Sequence, residues 1–214
     1  MIDFKKGNIF TTDKKVIVNT INCVGVMGAG IALECRLRFP DMFNTYKDLC
    51  SNGLISPGLL WLYKANSNRW ILNFPTKTHW KYPSKEIYIE KGLEKFVDTY
   101  KSKNIESIAF PLLGTNNGGL NKDRILEIMC KYLKDCDIPI SIYDYDPLAN
   151  DGIIDNFIKK WKLLSDVDKI SIFGKLQFEK LTKVINYNNL SSLISIHNID
   201  KSISINTLEK CYSL

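Results

Sequence analysis

The stretch Val16–Pro40, VIVNTINCVGVMGAGIALECRLRFP, decides the fold that we predict for this chain. It opens with a β-branched run that is typical of a buried strand. Glycines are dense over residues 25–30, and from Ile31 to Phe39 apolar residues recur four apart, which predicts a helix that Pro40 ends. The N–H groups and the dipole of a helix N-terminus both point at the preceding loop. This order of elements therefore suits an anion-binding site.

Two asparagines, Asn19 and Asn22, are predicted to bracket the end of the strand. Their amides both donate to and accept from hydroxyl groups, so they suit a sugar ligand. Glycines between a strand and a helix also serve as plain turn residues, and this loop has neither the G-x-G-x-x-G fingerprint nor the lysine of a P-loop. A simple turn and an anion site both stay open, and the asparagine pair favours the anion site.

Four stretches, in this order, resemble the ligand loops of macrodomains, the ADP-ribose-binding fold. They are GNIF at Gly7–Phe10, NTINCVGVMGAGIAL at Asn19–Leu33, NFPTKTHW at Asn73–Trp80 and PLLGTNNGGLN at Pro111–Asn121. Within the family, the likeness is greatest to the branch of the DarG antitoxins and the terminal ADP-ribose glycohydrolases. The resemblance covers residues 1–147 and implies a three-layer α/β/α fold with a mixed central sheet.

The alternation of strands and helices also predicts a three-layer α/β fold, with ligands outside the carboxyl ends of the strands. Strands are expected at 2–6, 16–18, 59–63, 70–74, 107–113 and 138–145, and helices at 31–39, 41–49 (capped by Asp41), 89–100, 125–133 and 154–164. We place the macrodomain at 1–164 and a small, partly helical C-terminal extension at 165–214. In the extension, 176–185 is predicted to be helical, and 188–196 stays ambiguous.

The composition is that of a soluble globular protein. Basic residues exceed acidic ones by 29 − 23 = 6, and they are scattered, so a solvated surface is favoured over a nucleic-acid footprint, although a polyanionic partner is compatible. The six cysteines show no C-x-x-C pair and no zinc spacing. No signal peptide or membrane span is recognisable. We expect a cytoplasmic protein with reduced cysteines, no metal, no cofactor and no membrane contact.

Lys77 is the candidate nucleophile. It follows a predicted strand and lies beside aromatic residues, so partial burial would lower its pKa and free the amine. By itself the position favours an ordinary surface lysine over a nucleophile. In the resembled branch, the lysine at this position attacks the anomeric carbon of the distal ribose, and Asn22 positions that ribose.

Asn121 departs from the family pattern, which has a catalytic aspartate after Gly-Gly-Leu. Asparagine and aspartate cap helices about equally well, but an amide does not exchange a proton near pH 7. His79 is a conceivable substitute if the segment after Lys77 is extended. Asp123 would point elsewhere once the helix has begun.

The second glycine loop, Gly114–Gly119, has residues that can wrap a diphosphate, or it is a tight turn that Asn121 caps. Tyr145 stacks on the adenine or closes the rim of the core. The full set of predicted ligand-binding residues is Gly7, Asn8, Ile9, Asn19, Cys23, Val24, Gly25, Val26, Met27, Gly28, Ala29, Gly30, Ile31, Pro111, Leu112, Gly114, Thr115, Asn116, Asn117, Gly118, Gly119, Leu120 and Tyr145.

The resemblance implies an ADP-ribosyl glycohydrolase that acts on ADP-ribosylated DNA bases and counteracts a DNA-modifying toxin. Its implied partners are ADP-ribose, ADP-ribosylated DNA and that toxin. The alternatives are a non-catalytic ADP-ribose reader, a toxin-neutralising binder, and a hydrolase of ADP-ribose linked to protein carboxylates.

Overall fold

The computed structural model describes residues 1–186 and 190–214. It divides the chain into two compact units, Met1–Tyr145 and Asp146–Leu214. The predicted boundary between residues 164 and 165 falls inside the second unit. The reason is packing, because the Trp161 ring lies 5.6 Å from that of Phe173 and 6.1 Å from that of Phe178, so the helix around Trp161 shares a core with the helices after it.

The first unit contains a six-stranded mixed sheet in the order β1-β6-β5-β2-β4-β3. All neighbouring strands are parallel except β3, which runs antiparallel to β4. The strands are β1 (Ile2–Gly7), β2 (Val16–Ile21), β3 (Trp61–Lys64), β4 (Trp70–Pro75), β5 (Ile108–Pro111) and β6 (Ile140–Tyr145). Each predicted strand is present, and β1 is at the edge, as expected.

Helices cover both faces of this sheet, which confirms the three-layer prediction. The helices are α1 (Gly30–Arg38), α2 (Pro40–Ser51), α3 (Glu86–Thr99) and α4 (Lys122–Leu133). Ile17 and Ile71 point from the sheet into a core with α1 and α2, whereas Val18 and Leu72 point into a core with α3 and α4. Alternate residues of a strand face opposite sides, so one fully buried strand supplies both cores.

One helix start differs from the prediction. The N-cap of α2 is Phe39, and Pro40 is its first residue, so Asp41 lies in the first turn instead of capping the helix. Pro40 ends the preceding helix as predicted and begins the next one, because the fixed φ of proline suits a first helical position.

The second unit consists of helices in the described residues, namely α5 (Ile154–Leu163), α6 (Asp166–Phe173), α7 (Lys175–Ile185), α8 (Leu193–Ile199) and α9 (Ile205–Ser213). The prediction of α7 is confirmed, whereas α6 and α9 were not predicted. Of the ambiguous stretch 188–196, residues 188 and 189 lie outside the described residues, and α8 begins within the rest. Within the described residues, no helix is both long enough and apolar enough to cross a membrane.

The carboxyl ends of the five parallel strands meet at one edge of the sheet. In register, Ile21 at the end of β2 lies opposite Pro75 of β4, and Gly7 of β1 lies opposite Tyr145 of β6. The four stretches that resemble ligand loops each include or directly follow one of these strand ends. The topology therefore brings them to one edge, although they are far apart in sequence.

Candidate active site

Asn22 forms hydrogen bonds that hold the first glycine loop, which contains Gly25, Gly28 and Gly30. Its Oδ1 accepts from the N–H of Val24 (3.0 Å) and of Val26 (3.4 Å), while its Nδ2 donates to the carbonyl of Val26 (2.5 Å). The hydroxyl of Tyr46 lies 2.8 Å from the Asn22 carbonyl and 3.0 Å from its Oδ1. Asn22 is 7% exposed, so its described contacts support the loop from the buried side.

Tyr46, in the helix predicted at 41–49, holds Asn22 in place, a role that was not predicted from the sequence. It is fully buried, and burial raises the pKa of its phenol well above the usual value, so the hydroxyl stays protonated and donates. No short-range pattern signals its role, because it acts on a residue 24 positions away.

The N-terminus of α1 lies at the end of the same loop. Its N-cap is Ala29, and no side chain among the described residues caps its first turn, which also contains no acidic residue. The first N–H groups of a helix lack intrahelical partners, and the helix dipole makes this end positive. An anion such as a diphosphate would satisfy both needs.

The second glycine loop lies against the first. A Cβ atom added to Gly30 would sit 2.7 Å from Nδ2 of Asn117, and Gly30 has a φ of +56°. At Gly118, an added Cβ would sit 2.1 Å from the carbonyl oxygen of Gly114 and 2.4 Å from Oγ of Ser84. Gly118 has to be glycine, because an added Cβ would overlap the backbone of its own loop. At Gly30 the positive φ favours glycine, and an added Cβ would displace the end of the Asn117 side chain.

Lys77 follows β4 and reaches the second loop. Its Nζ donates to the carbonyl of Asn117 at 2.5 Å. The residue is partly buried, and desolvation lowers the pKa of its amine below the ordinary value of 10.5. The direction agrees with the sequence expectation, since a neutral amine is the nucleophilic form.

The segment around Lys77 is also tied to the first loop. The N–H of Cys23 donates to the carbonyl of Thr78 (3.2 Å), and the thiol of Cys23 lies 3.2 Å from the carbonyl of Lys77. Burial raises the pKa of the Cys23 thiol to about 11, so this group stays protonated and can donate. Lys77 therefore stands between the two glycine loops, with a described contact to each side.

Asn121 caps α4, with Oδ1 accepting from the N–H of Arg124 at 3.0 Å. Asn121 is exposed. Asp123 lies two residues later, in the first turn of the same helix. His79 does not lie on an extended segment with Lys77, because the chain bends from Thr78 onward. Its Nδ1 instead accepts from the N–H of Lys81 at 3.2 Å.

The other predicted ligand residues differ in burial, and some of them lie in the core. Asn19 lies inside β2 instead of at its end, is fully buried, and donates through Nδ2 to Oδ1 of Asn73 at 2.9 Å. Met27 is 1% exposed and belongs to the core under α1 and α2. We leave both out of the site proposed below. Asn8 is buried and caps the short 3-10 turn Ile9–Thr11, whereas Tyr145 is 42% exposed at the end of β6.

A family model described as Macro domain matches residues 18–129, which is more than half of the chain. The chain belongs to the macrodomain family. The resemblance that the four loops indicate is thereby confirmed, together with the α/β fold.

Known relatives of this macrodomain fall in the branch that the sequence indicated. A DNA ADP-ribosyl glycohydrolase of Mycobacterium tuberculosis is 42% identical over 124 residues, covering 56% of this chain and 35% of the relative. The macrodomain of Mycobacterium tuberculosis DarG has a TM-score of 0.65 and 37% identity, covering 67% of this chain and 97% of that one. Thermosipho africanus DarTG in complex with ADP-ribose has a TM-score of 0.62 and 34% identity, covering 67% of this chain and 42% of that one. The chain spans between 35% and 42% of the length of the curated DNA ADP-ribosyl glycohydrolases that it matches.

Proposed function

We propose that this macrodomain binds ADP-ribose and removes it from ADP-ribosylated DNA bases, with Lys77 as the nucleophile. The observation that carries the proposal is the partly buried amine of Lys77, whose pKa is lowered by desolvation and whose Nζ donates to the second glycine loop, while the backbone carbonyl of Lys77 contacts the first. The relatives named for this activity, at 42% identity over the matched region, support the same substrate.

Each part of the site has a place in this scheme. The diphosphate lies between the two glycine loops, where the N-terminus of α1, which no described side chain caps, offers N–H groups. Asn22, held by Tyr46, shapes the loop beside the distal ribose. Tyr145, at the end of β6, is exposed on the side on which β1 ends, where we place the adenine.

The reaction uses the neutral form of the lysine. Its Nζ forms a bond to the anomeric carbon of the distal ribose while the bond from that carbon to the leaving base nitrogen breaks. The base nitrogen takes the electron pair and receives a proton from water. The hydroxide left by that water then displaces the lysine from the anomeric carbon, which releases ADP-ribose and regenerates the neutral amine.

Asn121 limits the rate in this scheme. Its Oδ1 accepts a hydrogen bond from the helix, and an amide does not transfer a proton to the leaving group near pH 7. A leaving group that tolerates negative charge, such as a thymine ring nitrogen, is therefore favoured over an alcohol. The same residue favours a second candidate function, a non-catalytic reader that binds ADP-ribose without cleaving it.

The proposal is tested with two substrates and one ligand. Wild-type protein is incubated with ADP-ribosylated single-stranded DNA and with ADP-ribose linked to protein carboxylates, and free ADP-ribose is quantified. We expect release from the DNA. If the protein binds free ADP-ribose but releases it from neither substrate, the non-catalytic reader is the correct function. If it releases ADP-ribose only from protein, the proposed DNA substrate is wrong. No thermal shift at millimolar ADP-ribose would refute the binding site itself.

The substrate requires an enzyme that attaches ADP-ribose to DNA. We propose a DNA ADP-ribosyl transferase toxin as the functional partner of this chain, because it forms the bond that Lys77 would break. Such a partner acts on the same DNA and need not contact this protein.

A further inference from the structure

The residues directly after Lys77 form an exposed segment that the proposed reaction leaves unused. We call His79, Trp80, Lys81 and Tyr82 the aromatic strip. Trp80 is 49% exposed and Tyr82 is 62% exposed. Large aromatic side chains bury readily in a core, so two neighbouring ones in water indicate an interaction surface.

The rings of the strip are held in one cluster. The ring of His79 stacks on that of Trp80 with centroids 5.6 Å apart and an interplanar angle of 26°, and it lies 5.4 Å from that of Tyr82. Nζ of Lys81 lies 5.2 Å from the Trp80 ring. The main chain supports the cluster, because the N–H of Tyr82 donates to the carbonyl of His79 at 3.1 Å. The strip is thus arranged before any partner binds.

Both ends of the strip are attached to the second glycine loop. Before it, Nζ of Lys77 donates to the carbonyl of Asn117, and after it, the N–H of Ser84 donates to the carbonyl of Gly118 at 3.0 Å. The strip is therefore held against the loop that we assign to the diphosphate, in the segment that directly follows Lys77. A macromolecule that is linked to the anomeric carbon of the bound ADP-ribose would therefore lie next to these rings.

The charge of the segment selects the class of macromolecule. Residues 77–85, KTHWKYPSK, contain three lysines and no acidic residue. Aromatic rings interleaved with cations are the pattern that binds single-stranded nucleic acid, since unpaired bases stack on the rings and phosphates pair with the cations. In a duplex the bases stack on one another, and their faces are not available.

We propose that the aromatic strip binds the single-stranded DNA on either side of the ADP-ribosylated base, through stacking on Trp80 and Tyr82 and through contact of Lys81 with a phosphate. This inference rests on the proposed function and assigns to the aromatic strip the contact with the strand next to the modified base. The scattered basic residues elsewhere then serve solubility, and this short segment is the nucleic-acid contact.

The test measures binding of a fluorescent, unmodified single-stranded oligonucleotide by polarisation. We expect Trp80→Ala and Tyr82→Ala each to weaken binding about tenfold. Lys81→Gln should reduce the slope of log K against log salt by about 0.7, the value for one phosphate contact on a single strand. Phe4→Ala is the matched control, because Phe4 is an aromatic residue of the same unit that is 59% exposed on β1. Its affinity should equal that of the wild type.

Unchanged affinity in Trp80→Ala and Tyr82→Ala would overturn the inference, as would a duplex of the same sequence that binds as tightly as the single strand. Binding of free ADP-ribose, measured on each variant, shows that the fold is intact. Variants that lose affinity for an ADP-ribosylated protein and keep affinity for the oligonucleotide would assign the strip to a protein partner, which also contradicts the inference.

The two proposals fail in different ways. If the wild type releases ADP-ribose from no substrate, the proposed function is wrong, and the affinity of the strip variants for the oligonucleotide still decides the inference. If the wild type releases ADP-ribose from DNA and the strip variants bind the oligonucleotide normally, only the inference is wrong.

Discussion

Removal of the Tyr46 hydroxyl tests how the first loop is held. In the wild type this hydroxyl lies 2.8 Å from the carbonyl and 3.0 Å from Oδ1 of Asn22, and the ring is fully buried. Tyr46→Phe keeps the ring in place and leaves the Asn22 carbonyl without its donor. The loss of one net hydrogen bond, with some cost for the unpaired carbonyl, amounts to about 1.5 kcal/mol of unfolding free energy. For a unit of this size, the melting temperature should fall by about 3–6 °C.

Tyr46→Phe should also weaken the binding of ADP-ribose. Oδ1 of Asn22 also accepts from the N–H groups of Val24 and Val26, so an Asn22 that is free to rotate loosens the loop. We expect ADP-ribose to bind about five- to tenfold more weakly, measured by isothermal titration calorimetry, which is about 1–1.4 kcal/mol. Tyr100→Phe is the matched control, since Tyr100 is also buried and its hydroxyl donates to Asp137 at 2.5 Å.

The control should lose stability and keep wild-type affinity for ADP-ribose. If Tyr46→Phe is destabilised but binds ADP-ribose as tightly as the wild type, the hydroxyl does not position Asn22 for the ligand. If neither stability nor affinity changes, the hydrogen bonds at Asn22 contribute nothing measurable, and our account of the first loop is wrong.

Three further changes probe the rest of the site. Gly30→Ala places a Cβ 2.7 Å from Nδ2 of Asn117 and should weaken ADP-ribose binding at least about tenfold. Gly53→Ala is the control, because Gly53 also has a positive φ but no described atom lies within 4 Å of an added Cβ, so it should lose stability alone. Calorimetry that finds the same ADP-ribose affinity for both variants would contradict this prediction. Release of ADP-ribose should rise with pH and reach half its maximum below 10.5, because only the neutral amine of Lys77 attacks and desolvation lowers its pKa; a rate that falls over this range would exclude the amine as nucleophile. Asn121→Asp keeps a helix cap, so the melting temperature should stay the same while the release rate rises about hundredfold or more; an unchanged rate would show that proton transfer at this position is not limiting.

Most of the first unit could be predicted from its sequence, because fully buried strands and amphipathic helices leave clear patterns. The run Val16–Val18 is wholly buried in β2, and the periodic residues from Ile89 to Tyr100 line one buried face of α3. The second unit was less legible. The short helix α6 exposes Val167 and Ile170, so its apolar residues show no buried stripe.

The unpredicted helices of the second unit carried a different signal. Ser165 caps α6 by accepting from the N–H of Asp168, and Ser204 caps α9 in the same way with Thr207. A serine just before an apolar-periodic run is a helix-start signal in sequence, and in α6 the acidic residue three positions later strengthens it. Capping residues were therefore the better guide in this part of the chain.

Site residues that are contiguous in sequence could be proposed from short motifs, whereas contacts between distant segments could not be foreseen. Lys77 could be proposed from one short motif, and the direction of its pKa shift agrees with the expectation. The contribution of Tyr46 and that of Ser84 both depend on contacts across many positions, with Asn22 and with the second glycine loop. Burial also decided against Asn19, because a polar residue inside a strand looks the same in sequence as one at its end.

Release of ADP-ribose from ADP-ribosylated single-stranded DNA by Lys77→Ala, beside Lys95→Ala, is the most direct test of the account. Lys95 is an exposed lysine on α3, so its replacement controls for the loss of one positive charge. We predict no release above background for Lys77→Ala, with an affinity for free ADP-ribose within about tenfold of the wild type, and a wild-type rate for Lys95→Ala. Full release by Lys77→Ala would contradict the central claim that this lysine breaks the glycosidic bond.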